Sequence, residues 1–541
     1  MIKKKREFAR QSRESSRIIN IFSYSRLFAS IRGQIFSLHF SNQINLLKRI
    51  GLISYSFPIL ILLFSISCNA WAGVALPIAV DGSYEDWDSA SPAYTDTLGD
   101  NGTSPIDFGR LFIANDQEHL FLRFEIGTEI IVNAGNSISL YIDWDGNPDT
   151  GQKVEGIGAD IKWVFGSRSG KFYGTSTQDL AWIDLDLRRA PTVSSNQFEI
   201  SLSRTPDIPI TGAGTISILF RNETGGIQDK MPNTGAISYT FSSDPVPAPP
   251  VIPLAKIKPS DLRILTYNTS SDGLFSRTQN FSRILKALKP DILNFQEVNG
   301  HTGLETRDLI NGILPLPAGE AWSYADNTDC VTVSRFPVTN QWTIDANLGV
   351  LISAPAGFGA TSLLVINAHT PCCQNETDRQ AECDNIMSFI RDAKTEGGII
   401  TVPQGTPMFI VGDLNLVGWA QQLKTLLQGD IVDQATYGAD FNPDWDNTPL
   451  ADFIPYHTAT REAYTWRSES GSYDPGWLDY IIYTDSALQL ARHFALWTPD
   501  MAPADLSAYS LQSNDSPTAS DHLPLTADVR PQSRWNLWLL Y

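Results

Sequence analysis

MFIVGDLN (residues 408–415) carries the clearest structural signal in this chain, because a run of apolar residues ends there abruptly in polar ones. The same pattern recurs in three other segments, LRILTYN (262–268), DILNFQEV (291–298) and SLLVINAH (362–369). Helical stretches around 281–288 and 379–393 lie between these predicted strands. Such alternation predicts an α/β or α+β domain, with polar side chains at the strand ends where functional sites are usually built.

Seven short fragments follow one another in a recognisable order between residues 261 and 530. They are LRILTYN (262–268), DILNFQEV (291–298), SRFP (334–337), NAH (367–369), GDLN (412–415), WLDY (477–480) and SDH (520–522). This series resembles the motifs of the endonuclease/exonuclease/phosphatase superfamily, which is related to DNase I. The resemblance implies a four-layer α/β sandwich over residues 261–530, in which two packed sheets are flanked by helices.

Hydrolysis of a phosphodiester requires a cation to neutralise the phosphoryl oxygens, a group that orients or deprotonates water, and donors for the pentavalent oxygens. Asn268, Glu297 and Asp521 would supply hard oxygen ligands of the kind that hold Mg²⁺ or Mn²⁺. The resemblance makes Glu297 the principal metal ligand among them.

Five further residues are the predicted catalytic groups. Asp413 and Asn415 are two apart, so on an extended strand they would face the same side. The resemblance implies that Asp413 orients or deprotonates the attacking water and that Asn415 holds the phosphate or the water. It implies that His522 donates to a phosphate oxygen while Asp479 holds its imidazole. His369 would contact the phosphate or protonate the leaving group.

The part of the chain before residue 244 has a different pattern, with short apolar runs separated by turn residues. The runs are 110–114, 119–126, 137–142, 161–165, 198–202, 216–220 and 236–241. Many short strands without a helical period predict an all-β sandwich over residues 73–243. VDGSYEDW (80–87) and YIDWDGNPDTG (141–151) resemble family 9 carbohydrate-binding modules and DOMON-like sandwiches. The resemblance implies a non-catalytic, often glycan-binding domain that sometimes carries calcium.

Two features of this region are candidates for ligand binding. Asp143, Asp145, Asn147 and Asp149 place oxygen ligands at alternate positions of a glycine-containing loop, which predicts Ca²⁺ binding or merely a polar hairpin. The tryptophans of the region could stack on sugar rings or belong to the core. They are Trp87, Trp144, Trp163 and Trp182.

The segments outside the two predicted domains give further expectations, and the first of them concerns the location of the protein. Residues 1–72 predict a signal or targeting segment, because an uncharged apolar run from residue 51 ends in Ala70-Trp71-Ala72; a membrane anchor or lipid attachment at Cys68 are the alternatives. This favours a secreted, periplasmic or cell-surface protein. Residues 244–260 are rich in proline and predict a semi-rigid linker, and residues 531–541 form an apolar C-terminal segment.

Charge and cysteines give two further expectations. The net charge is −19, and residues 1–50 hold eleven Lys and Arg against two Asp and Glu. Tight binding of duplex nucleic acid through bulk charge is therefore unexpected. After the apolar run the chain keeps an even number of cysteines, so one or two disulfides are expected. A bond from Cys372 or Cys373 to Cys383 is one hypothesis for the pairing, and a zinc site is the alternative.

These features together predict an exported, metal-dependent phosphodiesterase, nuclease-like, that hydrolyses phosphoester bonds by direct attack of water. One alternative is a phospholipid or sphingomyelin phosphodiesterase of the same superfamily. The other is a glycan-binding surface protein whose second domain is inactive.

Overall fold

The computed structural model describes residues 71–532. The predicted targeting segment therefore lies outside the described residues except for Trp71–Ala72, and so does the C-terminal segment from residue 533 onward. Residues 71–532 belong to one compact unit. Among residues 71–532, no helix combines the length and apolar character required to cross a membrane.

The first part of this unit is built from strands, as the short apolar runs predict. The strands are β1 (Trp71–Ala72), β2 (Tyr94–Thr95), β3 (Arg110–Asn115), β4 (His119–Ile130), β5 (Ile138–Asp143), β6 (Gln152–Val154), β7 (Ile157–Ala159), β8 (Ile161–Val164), β9 (Ser169–Tyr173), β10 (Thr177–Leu180), β11 (Arg188–Ala190), β12 (Ser195–Ser203), β13 (Thr215–Asn222), β14 (Asp229–Met231) and β15 (Ile237–Thr240). One sheet has the order β1-β15-β13-β5-β8-β9-β10 with β14 beside β13, and a second has the order β11-β12-β4-β3-β2. A short helix spans Trp182–Leu185.

The two sheets share one apolar core. Leu122 and Phe124 of β4 pack in it with Leu140 of β5 and Phe220 of β13. This core explains the alternating apolar residues of the strands, since successive side chains of a strand point to opposite faces.

The tryptophans proposed for sugar stacking belong to the interior. Each of the four is no more than 2% exposed: Trp87, Trp144, Trp163 and Trp182. A ring that is covered on both faces cannot stack on a sugar. Of the two interpretations, the one that places these tryptophans in the core is confirmed, and they do not form a glycan-binding surface.

The second part of the unit contains two larger sheets. Its strands are β16 (Leu262–Asn268), β17 (Ile292–Gln296), β18 (Ser323–Asn327), β19 (Cys330–Ser334), β20 (Val338–Ile344), β21 (Asn347–Ser353), β22 (Ser362–His369), β23 (Met408–Asp413), β24 (Asp479–Tyr483), β25 (Leu488–Ala495) and β26 (Leu525–Pro531). Six of them pair in the order β18-β19-β17-β16-β26-β25, and five in the order β20-β21-β22-β23-β24.

Helices cover the outer faces of both sheets. The longer helices are Thr278–Leu288, Gly303–Ile313, Glu376–Lys394, Ala420–Gln428 and Pro503–Tyr509, and the shorter ones are Gly273–Ser276, Gln434–Tyr437 and Asp515–Ala519. Ile264 of β16 and Val365 of β22 meet in the core between the sheets. Phe281 packs its helix on the six-stranded sheet, and Ile386 packs its helix on the five-stranded sheet. This is the layered, DNase I-like arrangement that the motif series implies.

The proline-rich segment 244–260 is extended and lies against the second part of the unit. Ile252 N donates to Thr458 O at 2.8 Å, and Leu254 is buried in the core beside the six-stranded sheet. Arg461 donates to the carbonyl of Pro247. The segment is therefore held along its length by the surface that it crosses.

The four cysteines of residues 71–532 are free thiols. Cys330 and Cys383 are buried, whereas Cys372 and Cys373 are exposed. Cys383 packs inside its helix layer against the five-stranded sheet. The expected bond between Cys372 or Cys373 and Cys383 is therefore wrong, because Cys383 faces this core instead of the loop.

Candidate functional site

The polar strand ends of the second part converge at one edge of the two sheets. Asn268 ends β16, His369 ends β22 and Asp413 ends β23, while Asp479 begins β24. The strand register places Asp413 between His369 on one side and Asp479 on the other. Glu297 directly follows β17, whose neighbour is β16. The pairing of the strands thus gathers residues that are far apart in sequence.

Asp413 is the central carboxylate of this site. It is 2% exposed, and its Oδ2 accepts a hydrogen bond from Asn268 Nδ2 at 2.9 Å. The same oxygen lies 3.6 Å from His369 Nε2 and 3.5 Å from His522 Nε2. One carboxylate oxygen therefore faces two imidazoles and an amide.

His522 is held by Asp479 through the other ring nitrogen. Nδ1 of His522 and Oδ2 of Asp479 are 2.9 Å apart, and both side chains are buried. Burial opposes a charge on this imidazole, but the negative charges of Asp479 and Asp413 outweigh it and raise the pKa of His522. The two carboxylates therefore favour the imidazolium form of His522, which its predicted role as a donor requires.

His369 has an equivalent partner that sequence reasoning missed. Its Nδ1 lies 2.6 Å from Oδ2 of Asp329, in the turn between β18 and β19. Burial alone would lower the pKa of His369, but the hydrogen bond to Asp329 and the charge of Asp413 raise it to about 9. Asp329 lies 40 residues before His369 and outside the quoted motifs, so its role depends on tertiary structure.

Glu297 stands beside this group in a strained segment. Its φ is 60°, an uncommon value for a residue other than glycine. Oε1 accepts a hydrogen bond from Asn268 Nδ2 at 3.1 Å, and Oε2 accepts one from Ser271 N at 2.7 Å. The carboxylate is half-buried and is not paired with a lysine or arginine in the described part of the chain, so it is available as a ligand to a cation.

Asn268 is oriented differently from a metal ligand. Its Oδ1 accepts a hydrogen bond from Ser270 N at 2.9 Å, while its Nδ2 faces Glu297 and Asp413. In this orientation Asn268 connects the two carboxylates as a donor.

Asn415 and Asp521 complete the predicted set. Because β23 ends at Asp413 and Asn415 has a φ of 46°, the two do not share the face of a strand. Asn415 Nδ2 donates to Thr370 O at 3.0 Å. Oδ2 of Asp521 accepts from Trp466 Nε1 at 3.1 Å. Asp521 precedes His522 directly, so its charge still acts on the site.

The donor set suits a divalent cation. The carboxylates of Glu297, Asp329, Asp413, Asp479 and Asp521 outnumber the two histidines. Within residues 71–532 none of these five pairs with a lysine or arginine. An anionic phosphodiester would be repelled by such a cleft unless a cation neutralised it.

Only two of the four residues predicted to bind calcium lie together in the structure. Asp143 and Asp145 lie together, but their third partner is Asp160, directly before β8. Asn147 and Asp149 lie on the exposed turn, where Asn147 Oδ1 accepts from Asp149 N at 3.1 Å. Sequence reasoning missed Asp160 because it lies outside the alternating run.

Comparison with known families agrees with this geometry. Residues 265–522 match the Endonuclease/Exonuclease/phosphatase family. This part of the chain is therefore a domain of that family and belongs to the metal-dependent phosphoric ester hydrolases. No curated protein matches the chain.

Several solved structures are similar to about half of the chain. The human Nocturnin catalytic domain is 16% identical, covers 51% of this chain and 97% of its own, and has a TM-score of 0.30. An AP endonuclease from Archaeoglobus fulgidus is 16% identical, with 49% and 98% covered and a TM-score of 0.31. Sphingomyelinase C from Streptomyces griseocarneus is 16% identical, with 50% and 99% covered and a TM-score of 0.29.

Proposed function

We propose that this protein is a nuclease-like phosphodiesterase in which water attacks phosphorus directly. The observation that carries the proposal is the arrangement of Asp413 Oδ2 at 3.5 and 3.6 Å from two imidazole Nε2 atoms. Each imidazole has a carboxylate on its Nδ1. In the described residues the ring nitrogens of His369 and His522 face only carboxylates, so neither imidazole is placed to activate a serine or cysteine nucleophile.

Each side chain then has one task. Asp413 orients the attacking water and accepts its proton, because it is the buried carboxylate at the centre of the site. The His522 imidazolium donates to a phosphoryl oxygen, and the His369 imidazolium gives its proton to the departing oxygen. A Mg²⁺ or Mn²⁺ ion would be held by Glu297, with Asp521 as a further predicted ligand, and would neutralise charge on the phosphate.

A nucleic-acid strand is the favoured substrate over a lipid. Enzymes that work on a membrane surface need an exposed apolar patch. The large exposed apolar side chains of residues 71–532 come one or two at a time from separate loops and helix ends, and Trp419 is the one tryptophan among them. The acidic chain disfavours tight duplex binding, so a single strand or a short oligonucleotide is the more suitable form.

The test is a release assay on the purified protein with DNA, RNA, sphingomyelin and an aryl phosphodiester, each with Mg²⁺, Mn²⁺ or chelator. We expect cleavage of nucleic acid that needs the metal and falls about 10²–10⁴-fold in His522→Gln. His493→Gln is the matched control, because His493 lies on β25 against Phe453 and should keep full activity. Cleavage of sphingomyelin alone, or of no substrate, would contradict the proposal.

We also propose that the protein is exported, because the apolar run from residue 51 to Ala72 ends in a small-x-small sequence. Expression of the full chain with a C-terminal tag, followed by mass analysis of the exported protein, should give a chain that begins at Gly73. Recovery of only the full-length chain inside the cell would contradict export.

A further inference from the structure

We propose that Asp143, Asp145 and Asp160 form a calcium site in the first part of the molecule, independent of the phosphodiester site. These residues each offer one carboxylate oxygen, and the three oxygens lie within 4.8 Å of one another. Calcium binds oxygen at 2.3–2.6 Å. Oxygens that share one calcium ion therefore lie no more than about 5 Å apart, and the three meet this limit.

Acidic groups often gather on a surface without a ligand, so the burial of this group is decisive. Asp143 is 2% exposed, and its Oδ1 is buried without a hydrogen-bond partner in the described part of the chain. A buried carboxylate oxygen without a donor is costly unless a cation compensates it. This orphaned oxygen distinguishes the cluster from an ordinary acidic turn.

Within residues 71–532, no lysine or arginine neutralises these three carboxylates in place of a metal ion. Lys153 donates to the carbonyl of Pro148, and Lys162 pairs with Glu223 at 2.8 Å. Asp160 is also buried, and its Oδ2 accepts only from the backbone N–H groups of Trp144 and Asp145. Three carboxylates with no paired lysine or arginine therefore face one another.

The backbone shows what the ion would do. Asp143 ends β5 and Asp160 immediately precedes β8, its antiparallel neighbour. The segment between them contains the β6–β7 hairpin, and a Cβ on Gly158 of β7 would come within 2.3 Å of Thr150 O. A cation bound by Asp143, Asp145 and Asp160 would hold both ends of this tightly folded segment against the sheet. Three carboxylates from one turn and one strand end are not arranged as an octahedron, which favours Ca²⁺ over Mg²⁺, because Mg²⁺ demands near-ideal octahedral geometry.

The experiment measures calcium binding on the full chain by thermal unfolding and by metal analysis after dialysis. Glu297→Gln serves as the parent, so that an ion at the phosphodiester site contributes little. In this parent we expect one additional bound Ca²⁺ per chain. At about a hundredfold excess over the dissociation constant, we expect a rise of about 3 °C in the Tm of the chain. An equal concentration of Mg²⁺ should give a much smaller rise.

Two variants and one control make the test specific. Asp143→Asn should abolish the calcium response, yet without calcium it should be at least as stable as the parent, because it removes an uncompensated buried charge. Asp160→Asn can still accept the two backbone hydrogen bonds and should abolish the response as well. Asp100→Asn is the control, because Asp100 belongs to a separate acidic group with Asp96 and Asp229.

The outcomes separate this site from the proposed activity. Loss of the response in Asp143→Asn and Asp160→Asn but not in Asp100→Asn supports the site. The absence of a response in the parent, or a response that follows Asp100, would overturn it. Neither result depends on phosphodiester turnover, so a failure of one proposal leaves the other intact.

Discussion

At the scale of single residues, both histidines of the site have the same arrangement of neighbouring carboxylates. His369 and His522 each turn Nε2 toward Asp413 and Nδ1 toward a buried or half-buried carboxylate. The carboxylate on Nδ1 fixes the tautomer and favours the cation. The two imidazoles therefore differ mainly in which part of the phosphate they would face.

Replacing Asp479 by asparagine should weaken catalysis through His522. The Asp479→Asn substitution would remove the charge that keeps His522 cationic, and the new amide could present an N–H to the Nδ1 of His522. We expect kcat on the best substrate to fall about 10²-fold, with KM much less affected. Equal kcat values for Asp479→Asn and the parent chain would show that the pair has no role in the chemical step.

The contact between Asp329 and His369 leads to a prediction about the pH dependence of activity. Since the pKa of His369 is raised to about 9, its cation is present below that pH and lost above it. The activity of the parent should therefore fall as pH rises through about 9. In Asp329→Asn the pKa of His369 should drop toward its ordinary value of about 6.5, so the fall should begin at lower pH. A profile of kcat/KM from about pH 6 to about pH 10 measures the shift, and coincident profiles would contradict it.

At the scale of elements, a buried ion pair connects two neighbouring strands of the six-stranded sheet. Arg263 of β16 and Asp528 of β26 are opposite each other in register. They form two hydrogen bonds of 2.6 and 2.7 Å, and both side chains are 1% exposed. Arg263 also donates to Leu254 O of the proline-rich segment and to Leu288 O at the end of a helix.

Removing one member of this pair should be strongly destabilising. Asp528→Ala leaves the Arg263 guanidinium buried without its counter-ion, so we expect the free energy of unfolding to fall by about 3–5 kcal/mol. Denaturant unfolding measures the change. Asp308→Asn is the control, because its pair with Arg307 is largely exposed and should be worth less than about 1 kcal/mol. Similar small changes for both variants would show that Asp528 is not essential to the sheet.

Which features were predictable depends on whether they are local in sequence. The strands that end in Asn268, His369 and Asp413 follow from apolar runs, and their order carries the resemblance that the family match confirms. Asp329 and Asp160 could not be identified, because a turn residue acquires its partner only when distant strands pair. Asn415 was expected on the strand face, but β23 ends two residues earlier.

At the scale of the whole molecule, a segment of the catalytic part, residues 462–477, makes several polar contacts with the first part. Arg188 pairs with Glu462, and Arg189 Nε lies 3.1 Å from Asp474 Oδ2, with both side chains at most 5% exposed. Trp182 Nε1 donates to Gly471 O at 3.1 Å. The first part of the molecule therefore helps to hold this segment of the catalytic part in place.

The same segment supports the catalytic pair from its other side. Thr465 Oγ1 accepts hydrogen bonds from Leu478 N and Asp479 N at 2.9 and 2.8 Å. Trp466 forms a bridge with the backbone of His522. A disturbance of the contact with the first part can therefore reach Asp479 and His522 through a short chain of hydrogen bonds.

Asp474→Ala tests whether this contact supports catalysis. It leaves Arg189 buried with one remaining hydrogen bond, to Pro191 O at 2.9 Å, so we expect stability to fall by about 3 kcal/mol. Because the segment would loosen around Thr465, kcat should fall several-fold while KM changes less. Replacing both partners, as in Arg189→Met with Asp474→Leu, removes the unpaired charge and should restore stability and kcat together. If the double variant regains stability but not kcat, Asp474 has a direct part in the site. If kcat is unchanged in Asp474→Ala, the contact with the first part does not support catalysis.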